Sequence, residues 1–418
     1  MENTENKIPN SENQDTQNSS FFSESISSSN GLEPFPKLRF LEFKNTYKKI
    51  KLNKAVERIQ RKDPTSEAPV MMLSAASGFI MQSEKYSREN AGQSLKKYIL
   101  LKKGELAYNH GASKYKPFGC CFELKEEEAR IPYVYHCFAV KENNDKSYIA
   151  RLLNNQKIDQ QLKRLISSSV RMDGLLNISY EEYTGIDLYL PSLPEQQKIA
   201  AFLSLVDVRI EKQRKLVENL KKYKRGLLSA IFDRKLRFKD TDFSLWKNVR
   251  LSECCLGFDN KRQPISSELR EKGTVPYYGA NGIQDYVKDY IFDGEYILLA
   301  EDGGHFDEFQ TKPIAQYITG KSWVNNHAHI LQATEKDCTK YIYYALVHKD
   351  IRKYINGSSR AKLNQEDMWQ IVILLPNLKQ QIKIAQFMSS IDKILSIEEK
   401  MLTVLEEKKQ GLLQQMFI

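Results

Sequence analysis

The sequence lacks the signals of several large protein classes. No apolar run approaches the roughly 20 residues needed to cross a bilayer, so we expect no membrane partner. The chain has 6 Cys in 418 residues and no Cys-x-x-Cys spacing, which makes a zinc ribbon unlikely. Adjacent cysteines at Cys120-Cys121 and Cys254-Cys255 are poor partners for each other. Reduced, buried thiols in a cytoplasmic protein are therefore favoured.

Motifs of DNA-modifying enzymes and of nucleotide-driven motors are also missing. Neither Asn-Pro-Pro-aromatic nor Asp-Pro-Pro-aromatic, the tetrapeptides of amino-methyltransferases, occurs. Gly320-Lys321-Ser322 is the nearest approach to a P-loop, but Ala315 stands where the first glycine is required. The acidic residues of 301–308 and the pair in His327-Ala328-His329 could be imagined as metal ligands, but a glycine-turned loop and a packed or DNA-facing strand are favoured. We expect a non-catalytic chain with no metal or cofactor of its own.

The charge balance is basic. The chain has 63 Lys and Arg against 53 Asp and Glu, a formal net charge of +10. Such a balance favours a polyanionic partner through phosphate neutralisation and counterion release. By itself the signal is weak, because many basic proteins bind no nucleic acid.

The first 35 residues have the composition of a disordered tail. Eight of the first thirty residues are Ser and six are Asn, with few apolar groups. A segment of this kind cannot bury enough surface to offset its ordering entropy. We predict that it carries no chemistry.

One stretch of the chain occurs twice. Residues 191–232 and 376–417 align without a gap at an offset of 185 residues, and sixteen of the 42 positions are identical. This spacing is too long for a solenoid, whose repeats run about 20–50 residues. The duplication predicts two large half-molecules, each a variable domain followed by a copy of one helix. Such a molecule suits an extended, quasi-symmetric target such as duplex DNA.

Both copies have the heptad pattern of long helices that pair. In the first copy the apolar seam is interrupted only at Gln213 and Lys224, and the second copy is interrupted at the equivalent Glu398 and Lys409. Antiparallel pairing of the copies about a two-fold would bury both seams.

One antiparallel register sets Lys224 beside Asp392 and Lys409 beside Asp207. We expect an exchange of the charges at one pair to be tolerated better than mutation of either partner alone. The alternative is that these are ordinary solvated charges, worth about 0–1 kcal/mol each.

Both copies also begin with a capping signature. Ser192 precedes Glu195 by three residues, and Asn377 precedes Gln380 by three. Each side chain could then satisfy an unpaired backbone N–H of the first helical turn.

The segments before the two helices share a coarse order of elements rather than close sequence. Each has an aromatic and basic strand start, a strand headed by Gly-Glu, a helical stretch (148–166 and 340–355) and an apolar strand leading into the repeat. We predict an α+β fold with two mixed α/β domains separated by two long helices that form an antiparallel coiled coil with a pseudo-two-fold repeat. The boundaries are a tail at 1–35, domain 1 at 36–190, helix 1 at 191–239, domain 2 at 240–375 and helix 2 at 376–418.

Polar loops of both domains carry side chains suited to reading nucleic acid. Asn and Gln can pair with adenine, Arg and Lys with guanine, and phosphate contacts usually outnumber base contacts. For any single residue a plain loop role is as good an interpretation as a base contact. The candidates are Asn109, Ser113, Lys114, Tyr115, Lys116, Ser168, Ser169, Arg171, Lys261, Arg262, Gln263, Tyr278, Asn281, Gln284, Asn325, Asn326, His327, Ser358, Arg360 and Lys362.

From residue 36 onward, the chain resembles the specificity subunit of type I restriction–modification systems. The resemblance rests on the duplicated Leu-Pro-x-Leu-x-x-Gln-x-x-Ile-Ala-x-Phe-Leu/Met helix, which starts at Leu190 and Leu375, and on residues 275–282, Val-Pro-Tyr-Tyr-Gly-Ala-Asn-Gly. The second copy departs from the commoner Pro-Glu-Gln-Gln at 379–382, where it has Lys-Gln-Gln-Ile.

The resemblance implies two target-recognition domains that each read one half of a bipartite, asymmetric DNA site. The helix pair would set the spacer and dock two methyltransferase subunits, and motor–nuclease subunits would complete the complex. S-adenosylmethionine, ATP and magnesium would then lie on partner subunits. Two other readings stay open: a stand-alone DNA-modifying enzyme, which the missing motifs disfavour, and a coiled-coil adaptor that binds no DNA.

Overall fold

A computed structural model of the chain divides into two units. The structure describes residues 22–24, 35–85, 92–113, 116–166, 176–236, 238, 243–357 and 361–418. Unit 1 comprises residues up to Glu211 together with Thr403–Ile418, and unit 2 comprises Lys212–Leu402. Each unit thus combines one variable domain with segments of both long helices.

Unit 1 is a mixed domain of short strands and helices. Its strands are β1 (Phe22–Glu24), β2 (Leu38–Phe40), β3 (Lys48–Lys51), β4 (Val56–Arg58), β5 (Met71–Ser74), β6 (Gly78–Met81), β7 (Ile99–Lys102), β8 (Leu106–Asn109), β9 (Cys120–Glu123), β10 (Glu128–Ile131), β11 (His136–Val140) and β12 (Asp187–Leu190). Its helices are α1 (Leu52–Ala55), α2 (Gln82–Lys85), α3 (Lys146–Leu152), α4 (Gln156–Leu165), α5 (Tyr180–Thr184) and the start of α6 (Leu193–Phe232).

The central sheet of unit 1 has the antiparallel order β4-β11-β8-β9. Alternate residues of β8 and β11 face two cores. Leu106 and Phe138 join a core with α3 and the long helices, while Ala107 and Cys137 join a second core with β7 and β10. This period-two division is what a sheet covered on both faces requires.

The strands of unit 2 are β13 (Lys247–Arg250), β14 (Cys255–Gly257), β15 (Lys272–Gly279), β16 (Gly282–Val287), β17 (Phe292–Ala300), β18 (Ala315–Val324), β19 (Ala328–Ala333), β20 (Ile355–Asn356), β21 (Lys362–Leu363) and β22 (Val372–Leu375). The strands β15 to β19 are longer than any strand of unit 1. The helices are α7 (Leu251–Cys254), α8 (Thr339–Leu346), α9 (Gln365–Trp369) and α10 (Leu378–Met416), which ends in unit 1.

The six-stranded sheet of unit 2 has the order β14-β19-β17-β18-β15-β16. All neighbours are antiparallel except β15 and β18. In both units the strand that leads into the long helix pairs with a strand from the early part of the same domain: β12 with β3, and β22 with β13. An early strand and the last strand of each domain therefore lie side by side next to the N-terminus of a long helix.

The two long helices are shorter than the sequence predicts at both ends, at 193–232 and 378–416. Helix α6 ends where Arg234 takes a left-handed conformation with φ +62°. The backbone N–H groups of Lys235 and Leu236 then turn back to the carbonyl of Ala230, which closes the last turn.

Within unit 2 the helices run antiparallel. Gln213 contacts Glu398, and Lys224, further along α6, contacts Asp392, which comes earlier in α10. Within unit 1, Asp207 contacts Lys409. The first apolar residues of each seam join a domain core, Ile199 and Leu203 in unit 1 and Ile384 and Met388 in unit 2.

Of the two predicted helix caps, one forms as expected. Asn377 Oδ1 accepts a hydrogen bond from the backbone N–H of Gln380 at 3.0 Å. In the first copy, Glu195 instead accepts two hydrogen bonds from the Arg39 guanidinium at 2.7 and 2.8 Å, and both side chains are buried. The Glu195 carboxylate therefore binds the Arg39 guanidinium and not a backbone N–H of the first helical turn. A hydrogen bond between two charged groups is the stronger one when the pair is removed from water.

Three sequence predictions about local structure are corrected. Residues 22–24, inside the expected tail, form a strand paired with β2, because backbone pairing to a strand edge needs no apolar composition. The predicted helical stretch at 148–166 is two helices, since Asn155 caps a new start by accepting from the N–H of Lys157. The stretch at 340–355 is helical only to Leu346, after which the chain turns and forms a 3-10 turn at Arg352–Tyr354.

All six cysteines are free thiols, and five of them are buried. Burial raises the pKa of Cys120 to about 11, and it raises the pKa of Cys121 and Cys137 further still. These thiols are therefore poor nucleophiles near neutral pH. None of the helices in the described part of the chain combines the length and apolar content needed to span a bilayer.

Candidate nucleic-acid interface

In unit 1 the loop that follows β8 contacts the segment that begins at Leu176. The backbone N–H of Leu176 donates to the carbonyl of His110, and His110 Nδ1 lies 2.9 Å from the carbonyl of Leu176. The loop that starts at Asn109 therefore meets the segment that leads out of 167–175. Of the residues predicted to contact DNA, Lys114, Tyr115, Ser168, Ser169 and Arg171 lie outside the described residues.

The described candidates of unit 1 make hydrogen bonds within their own domain. Asn109 Oδ1 accepts from the N–H of Gly111 at 2.9 Å, and Ser113 Oγ accepts from the N–H of Lys116 at 3.0 Å. Lys116 Nζ donates to the carbonyl of Asn154 at the end of α3. These contacts shape the loop and hold it against the domain.

In unit 2 a charged cluster joins the loops that carry most of the candidates. Arg262 contacts Glu301 at 2.5 Å and Asp259 at 3.4 Å, and Lys362 contacts Glu301 at 3.1 Å. His329, which is 1% exposed, lies between Asp259 Oδ2 and the carbonyl of Leu363 at 2.6 and 2.9 Å. Each ring nitrogen of His329 thus faces an oxygen acceptor.

The carboxylates of the cluster are held as anions. Burial alone would raise the pKa of Asp259, but the hydrogen bond and charge of His329, with a backbone N–H and Arg262, bring it below its usual value. Burial alone would also raise the pKa of Glu301. The hydrogen bonds from Arg262 and Lys362 outweigh burial and bring this pKa below its usual value. The cluster therefore stabilises the folded loops most when these groups are ionised.

The same cluster contains a possible metal-ligand set. Ligand atoms of Asp259, Glu301 and His329 lie within 4.8 Å of one another. Arg262 and Lys362 already contact these carboxylates, so a divalent ion would have to displace two cations. The residues fit an ion-pair cluster better than a metal centre.

Arg262 and Lys362, predicted as DNA contacts, are therefore tied to internal carboxylates. The Arg262 side chain is only 16% exposed and also donates to the carbonyl of Ala328 at 3.0 Å. Lys362 remains about half exposed. The charges of Arg262 and Lys362 hold the loops of unit 2 together through ion pairs. These ion pairs cannot be predicted from sequence, because Asp259, Glu301 and His329 are far apart in the chain.

The remaining candidates of unit 2 differ in exposure. Tyr278 lies on β15 beside β18 and is partly buried, and burial raises its pKa. Lys261, Gln263 and Asn326 are exposed, and the carbonyl of Gln263 accepts from the Trp323 indole. Ser358 and Arg360 lie outside the described residues.

Asn281, Gln284 and His327 line one open cleft in unit 2. Asn281 Nδ2 donates to the carbonyl of Gly303 at 2.8 Å, and His327 Nδ1 lies 2.5 Å from Asp302 Oδ1. Gln284 Oε1 accepts from the buried Asn325 side chain at 3.1 Å. The structure therefore brings four of the predicted residues, Asn325 included, into one hydrogen-bonded surface.

A second feature is the junction between each domain and its helices, where the same network occurs twice. In unit 1, Asp207 binds Arg151 of α3 and Lys409 of α10, both at 2.7 Å. Burial would raise the pKa of Asp207, but Lys409 and Arg151 hold it below its usual value. In unit 2, Asp392 binds Tyr344 of α8 at 2.5 Å and Lys224 of α6 at 2.6 Å.

These are the two ion pairs that the sequence register predicts. What the sequence could not indicate is the third member of each network, since Arg151 and Tyr344 are different residue types in domains of little similarity. Each aspartate joins one domain to both long helices.

Two equivalent glutamines complete the junctions. Gln196 accepts from the N–H of Asp145 and donates to the carbonyl of Pro191. Gln381 accepts from the N–H of Cys338 and donates to the carbonyl of Pro376. Both side chains are 1% exposed. Sequence analysis missed them as functional residues, although their identity in the repeat was the available signal.

Comparisons with known proteins agree with this architecture. Residues 244–407 match the model described as the type I restriction modification DNA specificity domain. A Haemophilus influenzae protein, named as a type I restriction enzyme specificity subunit, is 37% identical over 151 residues, which is 36% of this chain and 38% of that protein. A type I specificity subunit of Mycoplasma pneumoniae is 28% identical over 227 residues, or 52% of this chain and 80% of the relative.

Solved structures show the fold. The crystal structure of the type I restriction–modification S subunit from M. genitalium covers 92% of this chain and 99% of its own, with a TM-score of 0.59 at 16% identity. A structure from work on complex assembly and conformational transition of the type I R-M system covers 90% and 98%, with a TM-score of 0.52 at 14% identity.

Proposed function

We infer that this chain is a member of the type I restriction–modification specificity family, which it resembles over residues 244–407, and that it directs a type I complex to its DNA sites. In this proposal each unit reads one half of a bipartite, asymmetric site. The helix pair holds the two readers at a set spacing and provides the docking surface for two methyltransferase subunits.

The observation that carries the proposal is the repeated junction attached to unlike domains. Asp207 and Asp392 perform the same task in the two units, as do Gln196 and Gln381. The sheets above them differ, with four strands in one unit and six in the other. A scaffold that is duplicated while its loops diverge is suited to reading two different half-sites.

The long helices also retain features that their own chain does not explain. On the unit 2 part of the helices, Tyr223 and Ile397 are 56% and 61% exposed, and Ile394 and Met401 are exposed on the same face of α10 as Ile397. A β-carbon placed on Gly226 would meet no atom within 4 Å. An interior helical glycine costs roughly 0.5–1 kcal/mol relative to alanine, so a close approach by a partner would account for it. We assign these positions to the methyltransferase docking surface.

Cofactor chemistry belongs to the partners in this proposal. S-adenosylmethionine would bind the methyltransferase subunits, and ATP and magnesium would serve motor–nuclease subunits. The chain itself would be a non-catalytic cytoplasmic subunit, whose role is to bind and position.

The decisive experiment is methylation mapping with the full chain and its methyltransferase subunits. We expect methylation at a bipartite motif only when both components are present. Methylation by the chain alone would indicate an enzyme. A motif unchanged when this chain is replaced by a relative would contradict the recognition role, and absence of salt-dependent duplex binding would indicate an adaptor.

The spacer role needs a separate test. Lengthening the helix pair by whole turns should change the spacer in the mapped motif and leave both half-sites intact. Changed half-sites with a constant spacer would contradict this part of the proposal.

A further inference from the structure

The open cleft of unit 2 has the properties of a base-reading site. It has a volume of about 420 Å³, and its lining includes Asn281, Gly282, Gln284, Gly303 and His327. Its walls come from the turn between β15 and β16, the loop after β17 and the loop before β19. Three segments that are distant in sequence thus converge on one polar surface.

Two glycines keep the cleft open. Gly282 and Gly303 have φ of +137° and +65°, values that side chains rarely adopt, and a β-carbon on either would meet nothing within 4 Å. The backbone at both positions is therefore accessible from outside. A flat, rigid group such as a base edge can approach closely there.

The hydrogen bonds fix which end of each amide already has a partner and which end is left to bind another group. The backbone N–H of His327 donates to Asn325 Oδ1 at 2.8 Å, so Asn325 Nδ2 is the end that donates to Gln284 Oε1. Because its oxygen is used, Gln284 presents Nε2, a donor, which has no acceptor among the residues that the structure describes.

Asn281 has the opposite polarity. Its Nδ2 donates to the carbonyl of Gly303, which can only accept. Its Oδ1, an acceptor, therefore faces away and has no donor within the described chain. The cleft thus offers one donor from Gln284 and one acceptor from Asn281, each held by a contact behind it.

We propose that this cleft reads an adenine of the half-site bound by unit 2, with Gln284 donating to N7 and Asn281 accepting from the N6 amino group. Adenine presents this acceptor and donor together in the major groove, whereas guanine presents two acceptors there. Asn325 is a positioning residue, since it touches Gln284 and not the base. The inference rests on the proposed DNA-recognition function and assigns a base and residues to it.

The test is selection of binding sites from a randomised duplex pool by the full chain assembled with its methyltransferase subunits. The Gln284→Glu variant replaces the donor by an acceptor. We expect one position in one half-site to lose its preference for adenine and to shift towards cytosine, whose N4 amino group donates. Affinity for the original site should fall roughly 5- to 150-fold.

Two further variants separate reading from general damage. Gln370→Glu makes the same change of charge at an exposed position of unit 2 that does not line the cleft, and it should keep the original motif. Gly279→Ala places a β-carbon 2.3 Å from Gln284 Nε2, so it displaces that side chain without changing its chemistry. It should relax the same base position.

Each outcome has one meaning. A motif for Gln284→Glu identical to that of Gln370→Glu overturns the inference, and so does a change spread over both half-sites. If the unaltered complex selects no motif, the proposed function fails, and this inference fails with it. A selected wild-type motif with an unaffected variant overturns the inference alone.

Discussion

Reversal of the charges at the Lys224–Asp392 pair tests how the domains are attached to the helices. The two side chains are 14% and 32% exposed, so their 2.6 Å contact is neither a surface pair nor a fully buried one. Exposed pairs contribute about 0–1 kcal/mol, whereas loss of one partner of a buried pair costs about 3–5 kcal/mol. We expect Asp392→Lys alone to destabilise unit 2 by about 1–3 kcal/mol.

The double exchange Lys224→Asp with Asp392→Lys should restore the ion pair but not the whole network. Tyr344, which is 1% exposed, donates to the Asp392 carboxylate at 2.5 Å, and a lysine cannot accept that hydrogen bond. A hydrogen bond to a charged group is worth about 1.5–3 kcal/mol. The double variant should therefore be more stable than Asp392→Lys and less stable than the natural chain.

The equivalent pair in unit 1 provides a matched comparison. Asp207 binds Lys409 and Arg151, both at 2.7 Å, so the exchange there leaves the guanidinium of Arg151 beside a lysine. The double exchange in unit 1 should retain a larger loss, towards the 3–5 kcal/mol of an uncompensated buried charge. The two units thus predict unequal rescue from the same pair of substitutions.

The measurement is the shift of the urea midpoint for the single and double variants of the full chain, read as double-mutant cycles. A coupling energy below about 0.3 kcal/mol at the Lys224–Asp392 pair would refute the reasoning, because residues in contact couple more strongly than that. Equal residual losses in the two units would show that Arg151 and Tyr344 do not hold the aspartates as described.

Three further predictions concern the helix pair and the loops of unit 2. Gln213→Glu should lower the free energy of unfolding at neutral pH, because it sets two carboxylates together at the contact with Glu398. This loss of stability should become smaller as the pH is lowered and the carboxylates are protonated. The control Glu398→Gln should leave the free energy of unfolding nearly unchanged. Gly226→Ala should raise the free energy of unfolding of the chain alone by roughly 0.5–1 kcal/mol. The same variant should assemble less tightly with the methyltransferase subunits. If assembly is unchanged, Gly226 does not belong to the docking surface. The folded pKa of Asp259 lies below its ordinary 3.8, so its contribution is full above that value and is lost as the pH falls through the lower folded pKa. Thermal unfolding of Asp259→Asn should then show a weaker acid dependence than the natural chain, and equal slopes would contradict the cluster.

The sequence by itself determined the scaffold. The heptad seams, the 185-residue offset and the charges at Asp207, Lys224, Asp392 and Lys409 are local and periodic, so they can be read without coordinates. Helix pairing follows from such patterns because a buried apolar stripe must find a partner of the same period.

Only the tertiary structure decided what the polar loop residues do. Arg262 and Asn281 were equivalent candidates by residue type, yet the first is bound to Glu301 and the second lines an open cleft. Their roles depend on Asp259, His329 and other groups brought from distant segments. A hydrogen bond or ion pair is set by the position and orientation of both partners, and loops acquire these only when the sheet beneath them has formed.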